Sequence, residues 1–243
     1  MIEGFDATSL HARSVSALVA LLTVAACTSV APSATTSAAS TNGSTAKAAT
    51  TTATSAKARP LPTRPTTAPS GLLALTIMAP SHQDTYLRTA FGNGWAPQGS
   101  CQNTRAVVLE HQSTVPVVMS SSGCTGVSGR WVDPWSGVVT TTSHLLDIDH
   151  TVPLANAWWS GAWSWSTTER VDFANDLVDA DHLDAIPAHE NRAKGDEGPD
   201  LWKPPLRSSW CRYALAWDRI KVKWHLSATP TEWAALRDMV ATC

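Results

Sequence analysis

Residues 28–70 are dominated by Ala, Ser, Thr and Pro and carry no hydrophobic periodicity. Such a stretch cannot bury enough apolar surface to offset the entropy lost on ordering. It therefore reads as a linker or stalk, open to O-glycosylation, and Pro60, Pro62, Pro65 and Pro69 stiffen its distal end. This confines a packed core to residues 71–243, starting near Gly71.

Residues 1–27 read as an export signal. Arg13 precedes an apolar run from Val15 to Ala26, too short for a stable bilayer anchor. Glu3 and Asp6 are unusual in such a leader, and a start codon assigned too far upstream would explain them. The run ends Leu22-Thr23-Val24-Ala25-Ala26-Cys27, which resembles a bacterial lipobox. That likeness implies cleavage before Cys27 and lipidation of its thiol. An ordinary secretory signal with an incidental Cys is the alternative reading. Either way the chain is expected outside the cell. With an acyl chain on Cys27 it would sit on the outer face of the cytoplasmic membrane, with the stalk lifting the domain away.

Export makes the remaining Cys101, Cys124, Cys211 and Cys243 a disulfide set, for which three pairings exist. Cys101–Cys124 and Cys211–Cys243 are favoured, because each pair closes a segment of one half. Zinc is the weaker reading, since no C-x-x-C spacing is present. A hydrophobic fraction of 43% suits a globular domain, and its 12 Trp are expected mostly in the core. The net charge of −2 excludes a global basic field for nucleic acid, so any such binding needs a local patch.

Periodicity and turn signals predict an α+β domain. Short helices are expected over Ser81–Ala90 and Thr104–His111. Strands are expected over Val115–Met119, Gly129–Asp133, Val138–Thr142 and Leu145–His150. A helix and loop follow from Leu154 to Trp165. The capping-box pattern Ser166-Thr167-Thr168-Glu169 opens a helix to about Ala174. His182–Ile186 is a strand, Pro187 starts a helix on which Asn191 and Lys194 share a face, and Thr231–Val240 is the last helix.

The chemistry concentrates between Asp147 and Asp196. Asp147-Ile148-Asp149-His150 is followed by Asn175-Asp176-Leu177 and by Asn191-Arg192-Ala193-Lys194-Gly195-Asp196. Carboxylates beside a His, then two separated Asn, suit a one-metal phosphodiesterase. A hard cation takes oxygen ligands, and a His can deprotonate water near neutral pH. Period-two alternation sends Asp147 and Asp149 to one strand face and His150 to the other, unless the strand end rotates. His144, His182, His189 and His225 lack comparable context and are assigned no role.

These motifs resemble the HNH nucleases of the ββα-metal fold. The nearest variety is the exported actinobacterial proteins with a DUF1524 (GmrSD-type) C-terminal domain. The likeness runs from about Tyr86 to Cys243, with its core over 124–223. It includes Cys101-Gln102-Asn103-Thr104-Arg105, Gly129-Arg130-Trp131-Val132-Asp133-Pro134, Ser160-Gly161-Ala162 and Trp202-Lys203-Pro204-Pro205. The resemblance makes His150 the H, Asn175 the N and Asn191 the final position, in place of His. It implies a metal-dependent endonuclease with His150 as general base and Asn175 orienting it. Asp149 and Asn191, supported by Asp147, would hold one divalent cation, Mg²⁺ or Mn²⁺ before Zn²⁺. DNA is expected as substrate before RNA. Arg192 and Lys194 are candidate phosphate contacts, and Arg207, Arg212 and Lys221 are expected to extend them as a basic strip opposed locally only by Asp218. No feature points to a protein partner. The alternative is a non-catalytic cell-surface protein that binds DNA or a wall polymer.

Overall fold

The structure, a computed structural model, describes residues 71–243. The leader, the lipidation at Cys27 and the stalk over 28–70 fall outside the described residues. The described part is α+β, with three small antiparallel sheets and six α-helices.

The first sheet pairs β1 (Pro97–Gly99) with β2 (Gln102–Asn103) and leads into α1 (Thr104–Gln112). Asn103 caps that helix by accepting from the Ala106 N–H at 3.0 Å. The second sheet has the order β3 (Val118–Met119), β4 (Gly126–Val132), β5 (Val139–Thr142). The third pairs β6 (Leu146–His150) with β7 (Leu183–Pro187) over five consecutive residue pairs, from Leu146 opposite Pro187 to His150 opposite Leu183. Between its strands lie α2 (Leu154–Trp159) and α3 (Thr167–Ala174). Directly after β7 comes α4 (Ala188–Lys194), packed on both strands, and then α5 (Trp210–Lys223) and α6 (Pro230–Val240).

Caps set several boundaries. Ser166 accepts from the Glu169 N–H at 3.2 Å, as the capping pattern predicts. Thr229 and Glu232 close a full capping box at the start of α6, with Pro230 in its first turn. The predicted helix over Ser81–Ala90 is corrected to two short turns, Gln83–Thr85 and Arg88–Phe91. His82 has φ 61° and Leu87 is extended, so no run of helical residues is long enough to pass nucleation. The predicted strand over Val115–Met119 shortens to Val118–Met119, because the Thr114 N–H is spent on the Arg130 carbonyl and the Ser113 hydroxyl on Val115.

The β6–β7 hairpin divides two apolar cores. Leu146, Ile148, Leu183 and Ala185 face Val108, Leu109 and Trp131. On the other side Ile186 joins the larger core, where Tyr213, Trp217 and Ile220 of α5 meet Leu236 and Met239 of α6. Trp131, Trp135 and Trp217 are fully buried, as expected of most indoles here, whereas Trp163 is exposed. The disulfides are Cys101–Cys124 and Cys211–Cys243. The first joins the β1–β2 turn to the β3–β4 loop, and the second ties the start of α5 to the residue three beyond α6.

Candidate active site

His150 ends β6 on the face opposite Asp147 and Asp149, as the alternation predicts. Its Nε2 lies 2.9 Å from the carbonyl oxygen of Ala174, the last residue of α3. A helix leaves its final carbonyls without partners, so the imidazole doubles as a cap. A carbonyl only accepts, so Nε2 carries the proton and Nδ1 keeps its lone pair. Among the described residues Nδ1 accepts no hydrogen bond. The ring stacks on Trp95, with centroids 5.5 Å apart and planes 15° off parallel, and lies nearly parallel to Phe173. Burial, then the nearby His182 ring, pushes the His150 pKa down to about 3, so the ring is neutral at physiological pH.

His150 lines a small cavity of about 70 Å³ with Arg88, Gly92, Gly94, Trp95 and Leu154 among its walls. Gly92 and Gly94 have φ 103° and 119°, a conformation that favours glycine. Arg88 is exposed, and among the described residues no carboxylate pairs with it. No acidic side chain lines the cavity. Arg88 and Trp95 carry no motif in the sequence, and nothing along the chain ties them to His150.

Asn175 supports the same wall. Its Nδ2 donates to the Val171 carbonyl at 2.9 Å, closing α3. Its Oδ1 accepts from the Ala96 N–H at 2.8 Å and from Thr104 Oγ1 at 2.7 Å. The residue therefore ties the helix end that binds His150 to the loop that carries Trp95. Nearby His182, given no role by the sequence, is fully buried and donates from Nε2 to the Phe173 carbonyl at 2.7 Å.

The acidic face of β6 is arranged differently. Asp149 Oδ1 receives Lys194 Nζ at 2.8 Å, and the same ammonium donates to the His150 carbonyl at 2.8 Å. Asn191 Nδ2 donates to Asp147 Oδ2 at 3.0 Å. The i, i+3 spacing on α4 thus matches the i, i+2 spacing on β6. Lys194 is 0% exposed and Asp149 4%. Burial raises the Asp149 pKa against the pull of Lys194. Asp149 Oδ2 is buried without a partner.

This arrangement does not fit the expected divalent cation. A hard ion needs several converging oxygens, but the reachable oxygen of Asp149 already faces an ammonium. Asp147 and Asn191 satisfy each other, and among the described residues no group of three His, Cys, Asp or Glu could hold a metal. Asp147, Asp149 and Asn191, expected as a ligand set, form with Lys194 a strand–helix clasp in this structure.

The basic strip also changes. Lys194 is buried in that clasp, which removes it as a phosphate contact. Lys221 is 0% exposed, pairs with Glu232 at 2.5 Å and donates to Ser160 Oγ and the Ser227 carbonyl. Both are corrected from surface cations to buried ones. Arg212 pairs with Asp181 at 2.8 Å and lies over the Trp135 ring. Arg219 binds Asp179 and Asp181, and Lys223 binds Asp176. Arg207 is exposed, 4.8 Å above the Trp210 ring, and Arg192 is exposed on α4.

Fold and site together define a disulfide-bonded α+β domain of extracellular type, built around a neutral histidine at the end of a strand. A secreted, uncharacterised protein of Arthroderma benhamiae is 43% identical over 189 residues, which is 76% of this chain and 91% of that protein. The chain belongs to the family of that secreted protein. No family model and no solved structure matches it.

Proposed function

We propose that this chain is an exported nucleic-acid phosphodiesterase with His150 as its general base. One observation carries the reading. A neutral imidazole, its tautomer set by the Ala174 carbonyl, lines a cavity beside the exposed cation Arg88, and no acid lines that cavity. A general base must be unprotonated and within reach of the proton it takes. Nδ1 meets the first need. Arg88 supplies the charge that draws a phosphodiester, and guanidinium matches phosphate oxygens in bidentate fashion. The HNH-like spacing of His150, Asn175 and Asn191, with a hairpin followed by α4, supports the same class.

His150 takes the proton of the attacking hydroxyl, and Arg88 opposes the negative charge that builds on phosphorus. Asn175 is a positioning residue: it fixes the Ala174 carbonyl and the Trp95 loop. The Asp149–Lys194 pair holds the strand end, since the ammonium also grips the His150 carbonyl. The disulfides and the secreted relative support an extracellular place of action. Attachment to a membrane through Cys27 is the finer proposal, and intact mass of the cell-bound protein checks it.

The test incubates oxidised, exported protein with plasmid DNA and with single-stranded RNA, with and without Mg²⁺ or Mn²⁺. Cleavage of either polymer, lowered about 10²–10⁴-fold in His150→Ala, is expected. A His150→Ala protein that is folded and cuts at the parent rate ends the assignment.

A further inference from the structure

The proposed site lacks something that hydrolysis of DNA needs. Its cavity presents an imidazole lone pair, a guanidinium and two glycine backbones, but no carboxylate to gather a divalent cation. The acidic pair that would serve lies on the other face of β6 and is closed by Lys194 and Asn191. An incoming metal ion would meet Arg88 in the cavity and Lys194 at Asp149, both of like charge. Without a metal to generate hydroxide, the available chemistry depends on a nucleophile already tethered beside the phosphorus. RNA carries one in its 2′-hydroxyl, and DNA does not. A tethered nucleophile gains the large advantage of an intramolecular attack.

Resting on the reading of His150 as base, we infer that the substrate is single-stranded RNA, cleaved by its own 2′-hydroxyl without a metal ion. His150 Nδ1 accepts the 2′-hydroxyl proton. The 2′ oxygen forms a bond to phosphorus, and the bond from phosphorus to the 5′ oxygen breaks. That oxygen takes a proton from water at the open mouth of the cavity, and His150 releases its proton to solvent. The products are a 2′,3′-cyclic phosphate and a 5′-hydroxyl, with no change in oxidation state. Arg88 holds the non-bridging oxygens. The single-stranded form follows from the chemistry: only an unpaired strand leaves its 2′-hydroxyl free to align behind the leaving oxygen.

Three oligonucleotides of one sequence decide it: RNA, DNA and 2′-O-methyl RNA, each incubated with the oxidised full chain in excess chelator. The RNA is expected to be cut and the other two left whole, with one RNA product lighter by one water than the linear phosphate. His150→Ala should abolish the cut. Arg88→Gln, at an exposed position outside the core, should slow it about 10²-fold at an unchanged melting temperature. Loss of RNA cleavage in chelator, cleavage of the 2′-O-methyl strand, or a parent-like rate in Arg88→Gln overturns the inference. If DNA is cut with Mn²⁺ through His150 while RNA survives chelator, this inference falls and the phosphodiesterase stands. If no polymer is cut under any condition, both fall.

Discussion

Lys194 Nζ sits 2.8 Å from Asp149 Oδ1 with both side chains buried, on the strand face where the motif would place a metal ion. A buried ion pair is poor proof of net stability, because desolvation offsets much of the attraction. Breaking one is costly, since the remaining charge has neither water nor partner. Here the ammonium also holds the His150 carbonyl, so the pair couples stability to the site.

Lys194→Met is therefore expected to destabilise the domain by about 3–5 kcal/mol. The double variant Asp149→Asn with Lys194→Met should recover a large part, because the orphaned charge is gone. Urea unfolding of the parent, the singles and the double measures this coupling. Additive losses with no recovery would show that the pair is not the source of the effect.

Acid should unfold this domain from an unusually high pH. His150 and His182 are both buried with depressed pKa values, His150 to about 3. The unfolded chain binds a proton at each near pH 6.5, while the folded chain resists it. Stability is then full above that value and is lost as pH falls toward the folded values. Between pH 7 and 5.5 the expected loss from His150 is on the order of 1 kcal/mol, and His182 adds to it in the same direction. Asp149 and Asp218 have raised values and act in the opposite sense, so the first unit below 6.5 is the cleanest window. Urea midpoints across that range, compared with His182→Asn, should show a flatter profile in the variant. An identical slope would exclude His182 as a source.

Much of the fold was legible because its signals are local. Ser166 and Thr229 announce their helices through side chains that reach three residues, and the alternation Leu146-Asp147-Ile148-Asp149-His150 assigns both strand faces. The disulfide pairing followed from which segments each bond could close. The site was legible only in part. His150 and Asn175 stand out in the chain, and the structure brings both to one wall. Arg88 and Trp95 reach that wall across 62 and 55 residues, counting from His150, with no motif to mark them. The strip failed for the same reason. Along the chain the strip is opposed only by Asp218, but folding brings Asp176, Asp179 and Asp181 from the loop before β7 onto Arg212, Arg219 and Lys223. Lys194 and Lys221 looked like surface charges because burial of a lysine depends on a partner distant in sequence, Asp149 and Glu232 respectively.

That redistribution of charge changes what a binding experiment should find. Of the five cations first assigned to nucleic acid, Lys194 and Lys221 are buried, and Arg212 shares its charge with Asp181. Arg192 and Arg207 remain exposed. Each phosphate contact on a single strand contributes about 0.7 to the slope of log affinity against log salt. Neutralising Arg192 and Arg207 together should lower that slope by up to about 1.4, weaken all sequences alike and leave the melting temperature nearly unchanged. Lys221→Met should do the reverse. It leaves Glu232 buried without its cation, so it should lower the melting temperature, while the salt slope of the protein that remains folded stays at the parent value. Titration of a fluorescent oligonucleotide at several salt concentrations, beside thermal unfolding of each variant, separates the two roles. A reduced salt slope in Lys221→Met at parent stability would return that lysine to the binding surface.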